Sequence, residues 1–441
     1  MQLRMLRNRF GTPEVGDLVT WLLLAGFGLA MTGLAVRVGA RLSTASAPFV
    51  GRYRFELGPG SLLAPLVASG VLVATARGVT ERLSWRLLMF GGYAAALAWA
   101  LALAVVDGTR GLADPITNRD EYFHDVPAIG SDIGGFLAGF VANSAEHAVA
   151  TRQHPPGSVL LLWALDAAGL DRPVPLGLLI TATGCLTVPL VLVATRSLCG
   201  ESSARRLAPV LVLAPYAIWV AVSMDAVTAT LSAAMVTAGV LASEQHRRGL
   251  PAVLWALLSG LLLGVAALFS YAVPWLALSV ICVYFVRRRP LLNVVTGTAA
   301  LGPLALAQVA GFVWTDGLTT AQADFSIRLE PQRSALVWGL VSLAVLVLAC
   351  GPAIVASARK IRRTPGWPFL VGAGVAVTFA VSAGLARGEM EHAWLPYFPW
   401  LLVAAMAPQH RGDDPTPTPR ILVGVGAASA ILLAAVLQTA W

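Results

Sequence analysis

The sequence predicts an all-α, polytopic integral membrane protein with about thirteen transmembrane helices. Three observations predict it. Of 441 residues, 57% are hydrophobic and only 12% charged, and mean hydropathy is +0.73. Soluble domains carry about 25% charged residues, so most of this surface does not face water. Several apolar runs reach the ~20 residues that cross a ~30 Å hydrocarbon core, among them 21–36, 87–106, 176–194 and 421–440. The net charge of +8 comes from short arginine clusters between those runs. Such clusters mark cytoplasmic loops and argue against a nucleic-acid surface.

Taken in order, the first run follows Arg4, Arg7 and Arg9. It is about 20 residues long, more than the 7–15 of a signal-peptide core, so an uncleaved first helix is expected despite the small residues Ala45, Ser46 and Ala47. The spans then fall near 17–36, 60–77, 86–106, 174–195, 207–222, 225–243, 251–269, 271–286, 291–313, 334–355, 367–386, 393–407 and 420–440. With the N-terminus inside, the clusters at 77–86, 196–206, 247–248, 287–289 and 359–363 all land on the cytoplasmic side. Arg41, Arg52 and Arg54 land outside, against the trend. Residues 107–173 form a long outer loop. The apolar stretch 158–170 within it is too short to span and is expected to lie in the outer interface. Gln409–Pro419 reads as a flexible cytoplasmic loop with no soluble domain after the last span. Cys185, Cys199, Cys282 and Cys350 show no metal-ligand spacing and read as small packing residues.

The outer loop is the most informative segment, because loops beyond about 12–15 residues are usually functional or disordered. Its aromatic and aliphatic residues predict order. Asp120 and Glu121 are adjacent, so they cannot share a face, and either one could act as a general base; a solvated acidic loop is the plain alternative. Tyr122 follows. His154 precedes Pro155-Pro156-Gly157, which opens a helix whose N-terminus favours anions. It either contacts a phosphate or merely caps that helix. Asp225 begins a later span and reads either as a helix cap or as a residue facing the same outer cleft as Asp120. Ser270 and Tyr271 break two spans, and a simple hairpin turn accounts for them. Arg387, Glu389, Glu391 and His392 crowd the entrance to another span. Ionisable groups at membrane depth are functional candidates, and an arginine suits phosphate.

In order, Asp120-Glu121-Tyr122, His154-Pro155-Pro156-Gly157, Met224-Asp225-Ala226 and Gly388-Glu389-Met390-Glu391-His392-Ala393-Trp394-Leu395-Pro396 resemble the GT-C superfamily of membrane glycosyltransferases. The resemblance is nearest to the protein O-mannosyltransferase and aminoarabinose-transferase branch, of actinobacterial type. It implies transfer of a sugar, mannose or arabinose, from a polyprenyl-phosphate donor to a glycan, lipid or protein acceptor. It implies inversion and an active site on the extracytoplasmic face of the plasma membrane. Asp120 would be the general base with Glu121 beside it. His154, Arg387 and His392 would meet the donor phosphate, and Asp225, Glu389 and Glu391 would form a second acidic group. Tyr122, Ser270 and Tyr271 are further candidates. No cofactor is required, although Asp120, Glu121 and Asp225 could hold Mg or Mn. The division implied is 1–85 as N-terminal helices, 86–407 as the transferase module and 408–441 as a loop and last helix. This chain has His392 where related proteins carry an arginine. A transporter or flippase of a lipid-linked precursor is the alternative, and it would need ionisable residues deeper in the spans.

Overall fold

The computed structural model describes residues 13–439 apart from 43, 45, 56–57, 362, 384–388 and 409–417. It is a bundle of helices with one two-stranded ribbon. Among the described residues, six helices are long and apolar enough to cross a membrane. They are Pro13–Arg37, Trp85–Ala104, Pro173–Cys199, Met224–Ala242, Leu250–Ala267 and Leu292–Val309. A seventh candidate joins Trp314–Gln332 to Ala335–Cys350 across a bend of 96°.

Each of the thirteen expected spans has a helical counterpart, but many are shorter than a full crossing. The expected span 207–222 breaks into a helix Glu201–Val212 and a 3₁₀ turn Pro215–Trp219. Pro215 cannot donate to a continuing helix. The span 334–355 stops at Cys350 before Gly351-Pro352 and resumes as Ala353–Arg359 for the same reason. The last span ends at Val436, and Leu437–Thr439 pairs antiparallel with Gly51–Tyr53. The stretch expected at the interface is a helix, Gly157–Ala167, which buries Val159 and Leu162. The expected flexible loop at 409–419 lies almost wholly outside the described residues.

Arginine contacts gather the basic loops at one end of the bundle. Arg205 donates to the carbonyls of Thr80 and Leu83 at 2.9 and 2.7 Å, and Arg206 meets Glu81 at 3.4 Å. Arg196 lies over the Trp85 ring, and Arg287 donates to Val240 and to Ser197. Arg289 donates to the Arg247 carbonyl. Arg359 pairs with Asp17 in the second turn of the first helix at 2.7 Å. The helices Trp85–Ala104 and Met224–Ala242 each connect this end to the other, about 28 Å away at 1.5 Å per residue.

The helix Leu292–Val309 is mostly exposed and packs on Leu250–Ala267 through Gly260 and Gly264. A Cβ on Gly260 would sit 2.2 Å from the Thr296 carbonyl oxygen, and one on Gly264 would sit 2.4 Å from that of Ala300. Small residues four apart let helix backbones touch where lipid gives no hydrophobic drive. Gly260→Val is therefore expected to destabilise the protein by about 1–3 kcal/mol, the usual cost of overpacking. Thermal unfolding of the detergent-purified protein measures it.

Candidate active site

The outer loop is folded into short helices, and its turn at 118–121 is built by Asn118. The Asn118 side chain accepts the Asp120 N–H at 3.1 Å, and its carbonyl accepts that of Glu121 at 3.2 Å. This Asx turn ends the helix Arg110–Thr117 and opens a 3₁₀ turn, Tyr122–Asp125. Asp120 stays exposed while Glu121 turns inward and Tyr122 is buried. The Asp120 carbonyl accepts the Ala150 N–H at 2.9 Å, tying the turn to the helix Val149–Gln153.

His154 follows that helix directly. Its Nδ1 lies 3.0 Å from the Ala150 carbonyl, which can only accept, so Nδ1 carries the proton and Nε2 is left for other partners. The Tyr122 ring meets the imidazole edge-on at 5.7 Å. Gly157, two residues past the first proline, donates to the Leu268 carbonyl at 2.7 Å. A Cβ there would sit 2.4 Å from that oxygen, so the Pro-Pro-Gly element needs its glycine for close backbone approach.

The other two contributors come from far along the chain. Ser223, not Asp225, caps the helix Met224–Ala242, its Oγ accepting the Asp225 N–H at 3.2 Å. The Asp225 carboxylate is thereby free to face the cleft. Val222 holds a left-handed φ of 58°, rare for a β-branched residue, and donates to Thr181 Oγ1 at 2.9 Å. The four-residue helix Met390–Ala393 presents Glu389 and His392 to one side, and His392 Nδ1 stands 3.4 Å from Ser223 Oγ.

Asp120, Glu121, Tyr122, His154, Asp225, Glu389 and His392 line one cleft. It lies at the end of the bundle opposite the arginine-rich loops. Burial raises the Glu121 carboxyl to about 8, helped by the charges of Asp225, Glu389 and Asp120. Burial also raises Glu389, against the pull of Arg333 and His154. Burial lowers His392 to about 3, so its imidazole is neutral at pH 7. Tyr122 is pushed well up by burial and by Asp225 and Glu121.

Other candidates stand elsewhere. Glu391 is fully buried and points away from the cleft, accepting the Val50 N–H at 2.8 Å. Ser270 Oγ accepts the Ala272 N–H at 3.3 Å, and the Tyr271 ring packs 5.4 Å from Trp314. Both belong to the turn below Gly157 and do not line the cleft. Arg387 lies outside the described residues. Among the described residues no group of three or more His, Cys, Asp or Glu side chains is placed to hold a metal ion.

Two features have no counterpart in the sequence reading. Arg333 is buried, lies 5.8 Å from the Trp338 ring centroid, and feels the charges of Glu389 and Glu391. Beneath the cleft is a narrow apolar cavity walled by small residues, including Ala96, Ala100, Gly184, Ala226 and Ala229. Val220, Ala226 and Leu395 of its lining are neighbours of Ala221, Asp225 and His392 in the cleft.

Two solved structures are similar to this chain. One is ArnT from Cupriavidus metallidurans in the apo state, at 17% identity and TM-score 0.40, covering 63% of this chain and 54% of that one. The other is ArnT from the same organism bound to undecaprenyl phosphate, at 16% identity and TM-score 0.41, covering 71% of this chain and 59% of that one. The chain thus matches little more than half the length of each. No family model matches the sequence, and no curated protein does.

Proposed function

We propose that the chain is a glycosyltransferase that moves a sugar from a polyprenyl-phosphate donor to an envelope acceptor at the extracytoplasmic face of the plasma membrane. The observation that carries this reading is the cleft itself. Residues from the outer loop, from 223–225 and from 389–392 meet in one polar site directly above an apolar cavity between helices. A ligand with a polar head and a single apolar tail matches that division. The arginine-rich loops at the opposite end favour a cytoplasmic position there, which supports an outer position for the cleft.

In this reading Asp120, exposed at the mouth, takes the proton of the acceptor hydroxyl. The acceptor oxygen bonds to the anomeric carbon from the face opposite the leaving group, with inversion. The bond from that carbon to the phosphate oxygen breaks, and polyprenyl phosphate leaves with the electron pair. His154 meets its charge, and the neutral His392 offers a hydrogen bond. Glu121, protonated at pH 7, donates a hydrogen bond within the cleft. The first isoprene units run along the apolar helix faces beneath the cleft. Mannose and arabinose both fit this chemistry.

His154→Ala is expected to weaken donor binding about 10- to 100-fold, the value of a hydrogen bond to a charged group. The test is direct binding of a labelled polyprenyl-phosphate sugar to the purified protein. Unchanged affinity in the variant would remove His154 from the donor site. No binding of such a lipid by the wild type would remove the proposed donor class.

A further inference from the structure

Described residues of the segment between the first two apolar helices are tied down at several points. Arg41 donates to the Pro331 carbonyl at 3.0 Å, and its own carbonyl accepts the Ser334 N–H at 3.1 Å. Leu42, Ser46 and Phe49 are buried, and Phe49 packs 5.3 Å from the Trp219 ring. Thr44 Oγ1 and Ser46 Oγ both donate to the Phe49 carbonyl at 3.1 Å, which shapes the turn before Val50. Gly51–Tyr53 then pairs with Leu437–Thr439.

The bond in the middle of this segment reaches the site. Val50 N–H donates to Glu391 Oε1, and Glu391 lies with Met390 between the cleft residues Glu389 and His392. A buried carboxylate with so little solvent is costly unless it is held by hydrogen bonds or a cation. Its Oε2 has no hydrogen-bond partner among the described residues. Arg333 supplies the nearby positive charge, and it sits in the 331–334 segment that Arg41 grips. Met390 is fully buried with its sulfur 2.7 Å from Ser342 Oγ, so the short helix is held on a second side. The same chain segment therefore fixes both elements that carry the buried charges next to Glu389.

We propose that the described residues between 41 and 53 form a positioning strap, which holds Glu389 and His392 in the cleft through the bond from Val50 to Glu391. Glu391 is then a positioning residue that does not touch substrate. The strap makes the N-terminal helices part of the site. Its effect on transfer rests on the transferase reading; its effect on the geometry of 389–392 does not.

Hydrogen–deuterium exchange on the full chain in nanodiscs tests this, with Glu391→Ala, Glu391→Gln and Val50→Pro compared with wild type. Glu391→Ala is expected to speed exchange about tenfold or more at both 46–53 and 389–395, as local opening does when its closing contact is lost. Glu391→Gln, whose amide oxygen still accepts, is expected to exchange like wild type. Val50→Pro removes only the donor and is expected to repeat the Glu391→Ala pattern, which keeps the test intact if Glu391→Ala fails to fold. In transfer assays kcat falls about 100-fold in Glu391→Ala with little change in KM, and recovers in Glu391→Gln, as expected of a displacement near 1 Å at reacting groups. Unchanged exchange at 389–395 in Glu391→Ala overturns the strap. So does faster exchange with undiminished kcat. A wild-type chain that transfers no sugar overturns the transferase reading, and the exchange data then decide the strap alone.

Discussion

Asp120→Asn is expected to lower the rate of sugar transfer about 100- to 10,000-fold, the usual contribution of a general base. The asparagine keeps the size of the side chain. It leaves intact the backbone bonds that build the turn, from Asp120 N–H to Asn118 and from Ala150 N–H to the Asp120 carbonyl. Loss of rate is thus a loss of proton acceptance and not of fold. Donor binding should stay within about twofold, because an interaction made only in the transition state leaves ground-state affinity alone. Asp120 suits the role better than its neighbour. It is exposed where an acceptor arrives from outside, whereas Glu121 turns inward among other carboxylates. Retention of full activity in Asp120→Asn would move the base to another residue.

Glu121 provides the second large effect, and it is read against pH. Burial and three neighbouring carboxylates raise its carboxyl to about 8. At pH 7 it is protonated and can donate a hydrogen bond. Above pH 8 it ionises and adds a negative charge beside Asp120, Asp225 and Glu389. Activity is expected to fall about tenfold per unit above pH 8 if the neutral form is the active one. Glu121→Gln, a permanent neutral mimic, should retain activity at pH 7 and lose that alkaline limb. The same shift bears on stability. A carboxyl whose folded value lies above its unfolded value binds its proton more tightly when folded. Its contribution is therefore lost as pH rises from the ordinary carboxylate range near 4.5 through about 8. Thermal unfolding across that window should show a decline that Glu121→Gln reduces. A Glu121→Gln variant as inactive at pH 7 as Asp120→Asn would show that Glu121 itself moves the proton.

Much of the site was legible because polar residues stand out at the ends of apolar runs. Asp120, His154, Asp225, Glu389 and His392 each interrupt or flank such a run, and the alternation of spans puts them at one end. The Pro-Pro-Gly element was readable as a helix start, though its closeness to Leu268 was not, since that contact depends on a distant backbone. Asp225 looked like a cap because acidic residues commonly cap, and only the structure gives that task to Ser223. Arg333 carries no comparable signal, because a lone arginine flanking a span resembles an ordinary interfacial anchor. The apolar cavity leaves no periodic trace; it is made of alanines and a glycine from separate helices. The bond between Val50 and Glu391 joins residues 341 positions apart, beyond the reach of any local pattern. The breaks at Pro215 and at Gly351-Pro352 were signalled by their prolines, yet the apolar runs around them read as continuous.

The most direct measurement is transfer by the purified protein in vesicles. The donor is polyprenyl-phosphate mannose or arabinose labelled in the sugar, with a crude envelope fraction as acceptor, and wild type is compared with Asp120→Asn. Label entering the acceptor with wild type and not with the variant is the result expected of a polyprenyl-phosphate-dependent glycosyltransferase whose base is Asp120. Label that stays on the lipid while the lipid crosses the bilayer would contradict it and identify a flippase in its place.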